Sequence, residues 1–310
     1  MAENKNDITF TILSNEWLNL KKRSIKYTSF IKYKTIIDVH LLKLYDQKPL
    51  ENWSEYDYYK LFEQYGKNTL TGSTLRTIKY VLKDILSYGE EIYNLKPVKL
   101  TRIKISSNSK SIEVLNELQR RDLIMNCQKN YNSINAAVLL GLQAGLRLGE
   151  VCGLKWIDFN FERKTITISR TVQRVKNTDA FPKTRLIELP PKTASSKRVV
   201  IMTESLSSYL RNYINFYNPD SSETYILSNS YKMTDPRTIQ RKFKKICKLE
   251  GMNINFHVLR HTFATVCVKY GVDIKVLSEM LGHSNISTTL NLYVHPTLDQ
   301  KAEEMKKIDL

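Results

Sequence analysis

No stretch of this 310-residue sequence approaches the roughly 18 consecutive apolar residues that cross a bilayer, and the opening MAENKNDITF lacks the charged-then-apolar pattern of a signal peptide. Neither a membrane span nor export is expected, and the protein is placed in the cytoplasm. Cysteine is scarce: Cys127, Cys152, Cys247 and Cys267 stand apart, with no C-x-x-C pair. A disulfide framework and a cysteine zinc site are therefore not indicated, and the four thiols read as small buried hydrophobes. Also missing are a carboxylate pair placed for acid–base work, a Cys/His cluster with metal-ligand spacing and a glycine-rich phosphate loop. No internal repeat occurs.

Negative charge is in short supply. Acidic residues number 31 against 48 lysines and arginines, a formal net charge of +17, which favours a polyanionic partner, nucleic acid first. The excess is spread along the chain: residues 1–105 hold 18 basic and 12 acidic residues and residues 106–310 hold 30 and 19. Both parts are suited to the same polyanion.

From Ile8 to about Tyr93 apolar residues recur at spacings of three and four, as in Phe10, Leu13, Trp17 and Leu18, and again in Leu75, Ile78, Val81, Leu82 and Ile85. Breaks at Lys48-Pro49, Tyr65-Gly66 and Thr71-Gly72-Ser73 divide this part into four or five helices, with Ser73 read as an N-cap. The stretch KKRSIKYTSFIKYK, Lys21 to Lys34, suits either a surface laid along phosphates or a solvated helix face with tyrosines in the core. IKISSNSKSIEV, Ile103 to Val114, is small, polar and basic and reads as a linker. Two domains are expected, 1–105 and 106–310. In the second, a very apolar helix runs from Asn135 to Leu154. TITIS, RLIEL and RVVIM are short β-branched strands between Thr165 and Met202, and helices return to the end. The fold class is mainly α with one small antiparallel sheet, α+β.

Five features of the second part place polar residues in apolar settings. In GLRLGE, Arg147 sits among leucines and needs a partner, which Glu150 supplies at i+3; one such pair alone is more often structural than functional. In HVLRH, His257 and Arg260 share a helix face on which they can donate to one anion, Val258 excludes a zinc-protease motif, and His261 alone reads as capping or packing. PPKTASSKRVV puts Lys192 in a turn between two strands, where exposed lysines are common. His283 follows Gly282 at a helix end, and Tyr293 lies in NLYVHP. Together these supply cationic donors for nonbridging oxygens and a phenol able to attack phosphorus.

In this order GLRLGE, PKTASSKR, HVLRHTFAT, LGHSNISTT and NLYVHP resemble the signature boxes of the tyrosine recombinase (phage integrase) family, from about Ser106 to the C-terminus. More loosely, the helical first part resembles that family's core-binding domain, which clamps DNA. The resemblance implies a site-specific recombinase that cleaves and rejoins double-stranded DNA through a 3′-phosphotyrosyl link, using no metal or nucleotide cofactor. It makes Tyr293 the nucleophile, Arg147 and Arg260 the phosphate ligands, Lys192 the acid for the departing 5′-oxygen, His257 an acid/base or phosphate donor, His283 a phosphate ligand and Glu150 the support of Arg147. Lys192 is preferred to Lys183, which also sits in a Pro-Lys-Thr triplet, because the small polar run and Arg198-Val-Val follow Lys192. The stretch Val175 to Leu189 is longer than the family's minimal hairpin.

The resemblance further implies a synaptic tetramer on DNA, held through the tail from about residue 297, and the possibility of an accessory DNA-bending protein. The expected setting is the bacterial nucleoid. Deleting Asp299 to Leu310 should weaken synapsis and recombination far more than folding, measured by tetramer assembly on DNA beside a thermal melt. A mobile-element integrase is the first reading. Alternatives are a chromosome-dimer resolving recombinase, a type IB topoisomerase-like enzyme, or a catalytically inactive DNA-binding protein.

Overall fold

The structure, a computed structural model, describes residues 8–45, 50, 53–67, 70–105, 112–177, 181–190, 197–294 and 305–306. Contacts divide the chain into two compact units, Met1–Lys110 and Ser111–Leu310.

In the first unit the described elements are α1 (Phe10–Ser24), α2 (Tyr27–Ile36), a π-turn (Ile37–Leu41) leading into α3 (Leu42–Tyr45), α4 (Glu55–Lys67) and α5 (Gly72–Tyr93). The three-and-four spacing has its expected cause: Phe10, Leu13 and Trp17 of α1 and Ile78, Val81, Leu82 and Ile85 of α5 are all buried in one core. The Trp17 indole donates to Asp84 at 3.1 Å, and Lys21 bridges the same carboxylate at 2.6 Å. The N-cap of α5 is Thr71, whose extended backbone lets its hydroxyl accept from the Thr74 amide; Ser73 lies inside the helix instead. The basic stretch divides by face. Lys22, Arg23, Lys26 and Lys32 are exposed, whereas Ile31 is buried and Phe30 and Tyr33 pack on the core.

The second unit holds α6 (Glu117–Gln128), α7 (Ser133–Gln143), α8 (Leu148–Gly153), β1 (Phe159–Asn160), β2 (Thr165–Ile168), β3 (Thr171–Lys176), β4 (Thr184–Leu189) and β5 (Arg198–Ile201). It continues with α9 (Glu204–Tyr217), α10 (Pro236–Leu249), α11 (His257–Lys269), α12 (Ile274–Leu281) and α13 (Ile286–Tyr293). Helix α7 is apolar all round, as SINAAVLLGLQ requires of a central helix, and it touches α6, α8, α9, α10 and α11.

Two departures from the sequence reading shape the site. The single apolar helix expected over 135–154 is broken into α7 and α8, because Gly145 adopts a left-handed φ of +64°. Arg147 is consequently the N-cap of α8, in extended conformation, rather than a mid-helix residue. Nor is there one sheet. β1, β2 and β5 form an antiparallel three-stranded sheet in that order, with Ile166 opposite Val200, while β3 and β4 form a separate hairpin with Thr171 opposite Leu189. Strand β3 (TVQRVK) carries two charged side chains and has no β-branched run, so alternation did not single it out. The connection from β4 to β5 therefore joins two sheets and is not the turn of one hairpin.

A side chain at Gly145 meets two obstacles. The left-handed backbone costs an L residue about 1–2 kcal/mol, and an added Cβ would lie 2.5 Å from Phe263 Cδ1. Gly145→Ala is expected to lower the melting temperature by roughly 5–10 °C, read by circular dichroism. A shift under 2 °C would mean that Phe263 moves aside freely.

Candidate active site

The broken helix delivers the first arginine. As N-cap of α8, Arg147 donates its backbone N–H to Glu150 Oε2 and its Nη1 to Glu150 Oε1, both at 2.9 Å, and its Nη2 to the Gly282 carbonyl at 3.3 Å. The i,i+3 partnership is real, but it is a helix-start geometry rather than a pair on a helix face.

Glu150 has a second partner that the sequence reading passed over. Arg198 donates Nη1 to Oε1 and Nη2 to Oε2, each at 3.0 Å, and its Nε reaches the Met280 carbonyl at 2.6 Å. The strand alternation explains why an arginine is there. Arg198 and Val200 face inward while Val199 and Ile201 face out, so position 198 inherits the buried side of β5. Burial alone would raise the Glu150 carboxyl, yet the two arginines outweigh it and hold its pKa at about 2. Glu150 is thus a fixed anion between Arg147, α12 and β5.

Arg260 is 1% exposed on α11, with Nη1 donating to the Gly145 carbonyl at 2.8 Å and Nη2 to the Leu281 carbonyl at 2.6 Å. Two of the five guanidinium N–H groups are so engaged, and the other three have no hydrogen-bond partner among the described residues. Burial, then the charge of Arg147, depresses its pKa to about 9, so at neutral pH it is still a cation.

His283 arrives by a glycine turn. Gly282 closes α12 with φ +65°, and the His283 amide reaches back to the Ser278 carbonyl at 3.0 Å. Its Nδ1 rests 2.8 Å from the buried Thr289 hydroxyl. Burial, then Arg260 and Arg147, lowers its pKa to about 4, and His257, the first residue of α11, is likewise lowered by burial and by His261, Arg260 and Arg147. Both imidazoles are therefore neutral at pH 7. The fixed cations of the site are the arginines.

Tyr293, the last residue of α13, is docked and 7% exposed. Burial raises the phenol's pKa more than the nearby Arg260 and Arg147 lower it. Its hydroxyl lies 2.7 Å from Nδ1 of His261, a residue that the sequence alone casts as capping or packing. His261 is one residue past Arg260 in the same box, and that adjacency was its available signal.

Lys192 and the tail from about residue 297, apart from Met305 and Lys306, lie outside the described residues. Of the remaining sequence-derived residues, Glu150, His257, His283 and Tyr293 each fall within electrostatic reach of both Arg147 and Arg260. A cavity of about 730 Å³ opens beside them, lined by Arg147, Glu150 and His283 together with Arg170, Arg174 and Arg237. His257, Arg260 and Tyr293 do not line it. A buried anion is neutralised by two arginines, a third arginine presents spare donors, and a phenol touches a neutral imidazole. Among the described residues no group of three His, Cys, Asp or Glu side chains is placed to hold a metal ion.

The model of the phage integrase family matches residues 113–300. The tyrosine recombinase XerC-like protein of Caldanaerobacter subterraneus subsp. tengcongensis is 29% identical, over 98% of this chain and 83% of that protein. The integrase of Staphylococcus phage L54a is 25% identical, over 96% of this chain and 93% of that protein. Among solved structures, the Tn1549 transposon integrase in complex with transposon right end DNA shares the fold with a TM-score of 0.79 at 20% identity, covering 98% of this chain and all of that one. With the family model spanning more than half of its length, the chain belongs to the phage integrase family, enzymes of the tyrosine recombinase kind.

Proposed function

We propose that this protein is a site-specific recombinase that cuts double-stranded DNA by attack of Tyr293 on a phosphodiester, stores the bond as a 3′-phosphotyrosyl ester and rejoins it to a new 5′-hydroxyl. The observation that carries this reading is the Tyr293 hydroxyl docked on His261 beside Arg260 and Arg147. In this reading Arg147 and Arg260 bind nonbridging oxygens and offset the charge that grows on the pentacoordinate phosphorus. Glu150 aims Arg147. His283 and His257 donate to the same oxygens, their protons drawn on as phosphate enters. Lys192 gives a proton to the departing 5′-oxygen; β5, which follows it, is tied through Arg198 to Glu150. The tyrosyl ester conserves the energy of the broken bond, so rejoining requires no nucleotide.

The helical unit 1–110 is proposed to bind the DNA with its exposed lysines and arginines, and the active species to be a tetramer on DNA. The test uses a site-bearing DNA nicked just beyond the cut, so that the short fragment bearing the new 5′-hydroxyl escapes after cleavage and traps the intermediate. The expected product is a protein–DNA complex that survives denaturant, with the DNA on Tyr293 by peptide mass spectrometry. Cleaved DNA carrying no protein would sink the reading.

Integration and excision of a mobile element is the favoured role, supported by the likeness to a phage integrase. The likeness to a XerC-like recombinase supports chromosome-dimer resolution as the second reading. Plasmids carrying the DNA that flanks the gene separate them: recombination between two flanking ends supports the first, and resolution of dimers at a single chromosomal site supports the second.

A further inference from the structure

The proposed reaction leaves one proton without a destination, that of the Tyr293 phenol. Glu150, held at about 2 by two arginines, is far too acidic to take it. His283 directs Nδ1 at Thr289, and His257, which the resemblance casts as an acid/base, sets its ring against that of His261 and has no hydrogen bond to the phenol among the described residues. His261 instead sets Nδ1 2.7 Å from the hydroxyl, with the two rings 5.7 Å apart between centroids and tilted by 52°. The edge of the His257 ring meets the His261 ring at 4.5 Å and 82°, which fixes the orientation of His261.

We propose that His261 is the proton acceptor for the Tyr293 nucleophile, a role that rests on reading Tyr293 as the attacking residue. In the cutting step the Tyr293 O–H bond breaks and its proton passes to His261 Nδ1. The phenolate oxygen bonds to phosphorus, and the bond from phosphorus to the 5′-oxygen breaks. Its electron pair leaves with that oxygen, which takes a proton from the acid of the site. Rejoining runs the sequence backwards, with His261 returning its proton to the tyrosine oxygen as the 5′-hydroxyl attacks. His261 must begin neutral, its proton on Nε2. Burial, and then the cation of Arg260 on α11, favour that state; the other groups facing it are His257 on α11, Tyr293 on α13 and the exposed Lys275 and Glu279 on α12, with no titratable side chain on α7.

The experiment follows single-turnover formation of the covalent complex on the nicked DNA from pH 5 to 9, with DNA affinity measured separately and folding checked by thermal melts. Wild type is compared with His261→Ala, His261→Asn and Tyr293→Phe. His261→Asn keeps an acceptor at the Nδ1 position but cannot take up a proton. Both His261 variants are expected to cut about 100-fold more slowly at pH 7.5, with DNA affinity within about threefold, and to lose the acid-side fall that wild type shows as His261 becomes protonated. A rate for His261→Ala within threefold of wild type would overturn the proposal. So would full rescue by His261→Asn, which would reduce the contact to a positioning hydrogen bond. Covalent trapping by Tyr293→Phe would overturn the nucleophile assignment and His261 with it, whereas an inert Tyr293→Phe beside an unimpaired His261→Ala removes His261 alone.

Discussion

Tyr293→Phe is expected to bind the recombination site as tightly as wild type and to form no covalent complex, a loss of about 10⁴-fold or more in cutting. The substitution deletes one oxygen. The ring stays 7% exposed in the small cluster with Phe263, Ala264, Leu277 and Leu281, so packing is preserved. What is lost is the hydrogen bond to His261 and the atom that attacks. A stability change of about 1 kcal/mol is the scale for one such bond, too small to confuse with failure to fold. Gel-shift affinity and denaturing gels on the same preparation separate the two effects. Residual covalent product at more than a hundredth of the wild-type rate would mean that another side chain attacks.

The second large effect is expected at Glu150. Glu150→Gln takes from Arg198, 9% exposed, the carboxylate it bridges, and also removes the anion that aims Arg147. Breaking a buried pair from one side costs about 3–5 kcal/mol, or roughly 10 °C in melting temperature for a unit of this size. Replacing both partners, in Glu150→Gln with Arg198→Met, should return most of that stability because no charge is left buried alone. Cutting should not return, since Arg147 still lacks its guide. Equal stability of the single and double variants would show that Arg198 contributes nothing through Glu150.

The same carboxylate sets an acid response. Its folded pKa of about 2 lies below the ordinary value of 4.5, so its contribution is present above about pH 4.5 and is lost as pH falls towards 2. The shift corresponds to about 3 kcal/mol. Wild type should lose stability over this window in urea melts at stepped pH, and Glu150→Gln should lose correspondingly less. Identical pH slopes would count against a depressed Glu150.

The order of the polar boxes and the helical periodicity were legible in the sequence because both are local. Glu150 at i+3 from Arg147, Gly282 before His283 and the apolar stripe of α5 need only neighbours to be read. The break at Gly145 was less legible: GLQAGLRLG is compatible with a continuous apolar helix, and the left-handed turn packs against Phe263 and Leu281, more than a hundred residues away. Strand β3 was hidden for a similar reason. Its partner β4 supplies the pairing, and its own sequence is too mixed to announce a strand.

Sequence by itself determined the inventory: an excess of positive charge, two arginines, the histidines and a tyrosine in fixed order, with no metal-site or nucleotide-loop motif to redirect the chemistry. Tertiary structure decided the partnerships. Arg198 reaches Glu150 across 48 residues and His261 reaches Tyr293 across 32. Separations of that size are closed by packing of β5 against α12 and of α11 against α13, and spacing along the chain carries no record of which face each element turns inward. That packing makes Glu150 a shared anchor and sets a neutral imidazole against the phenol.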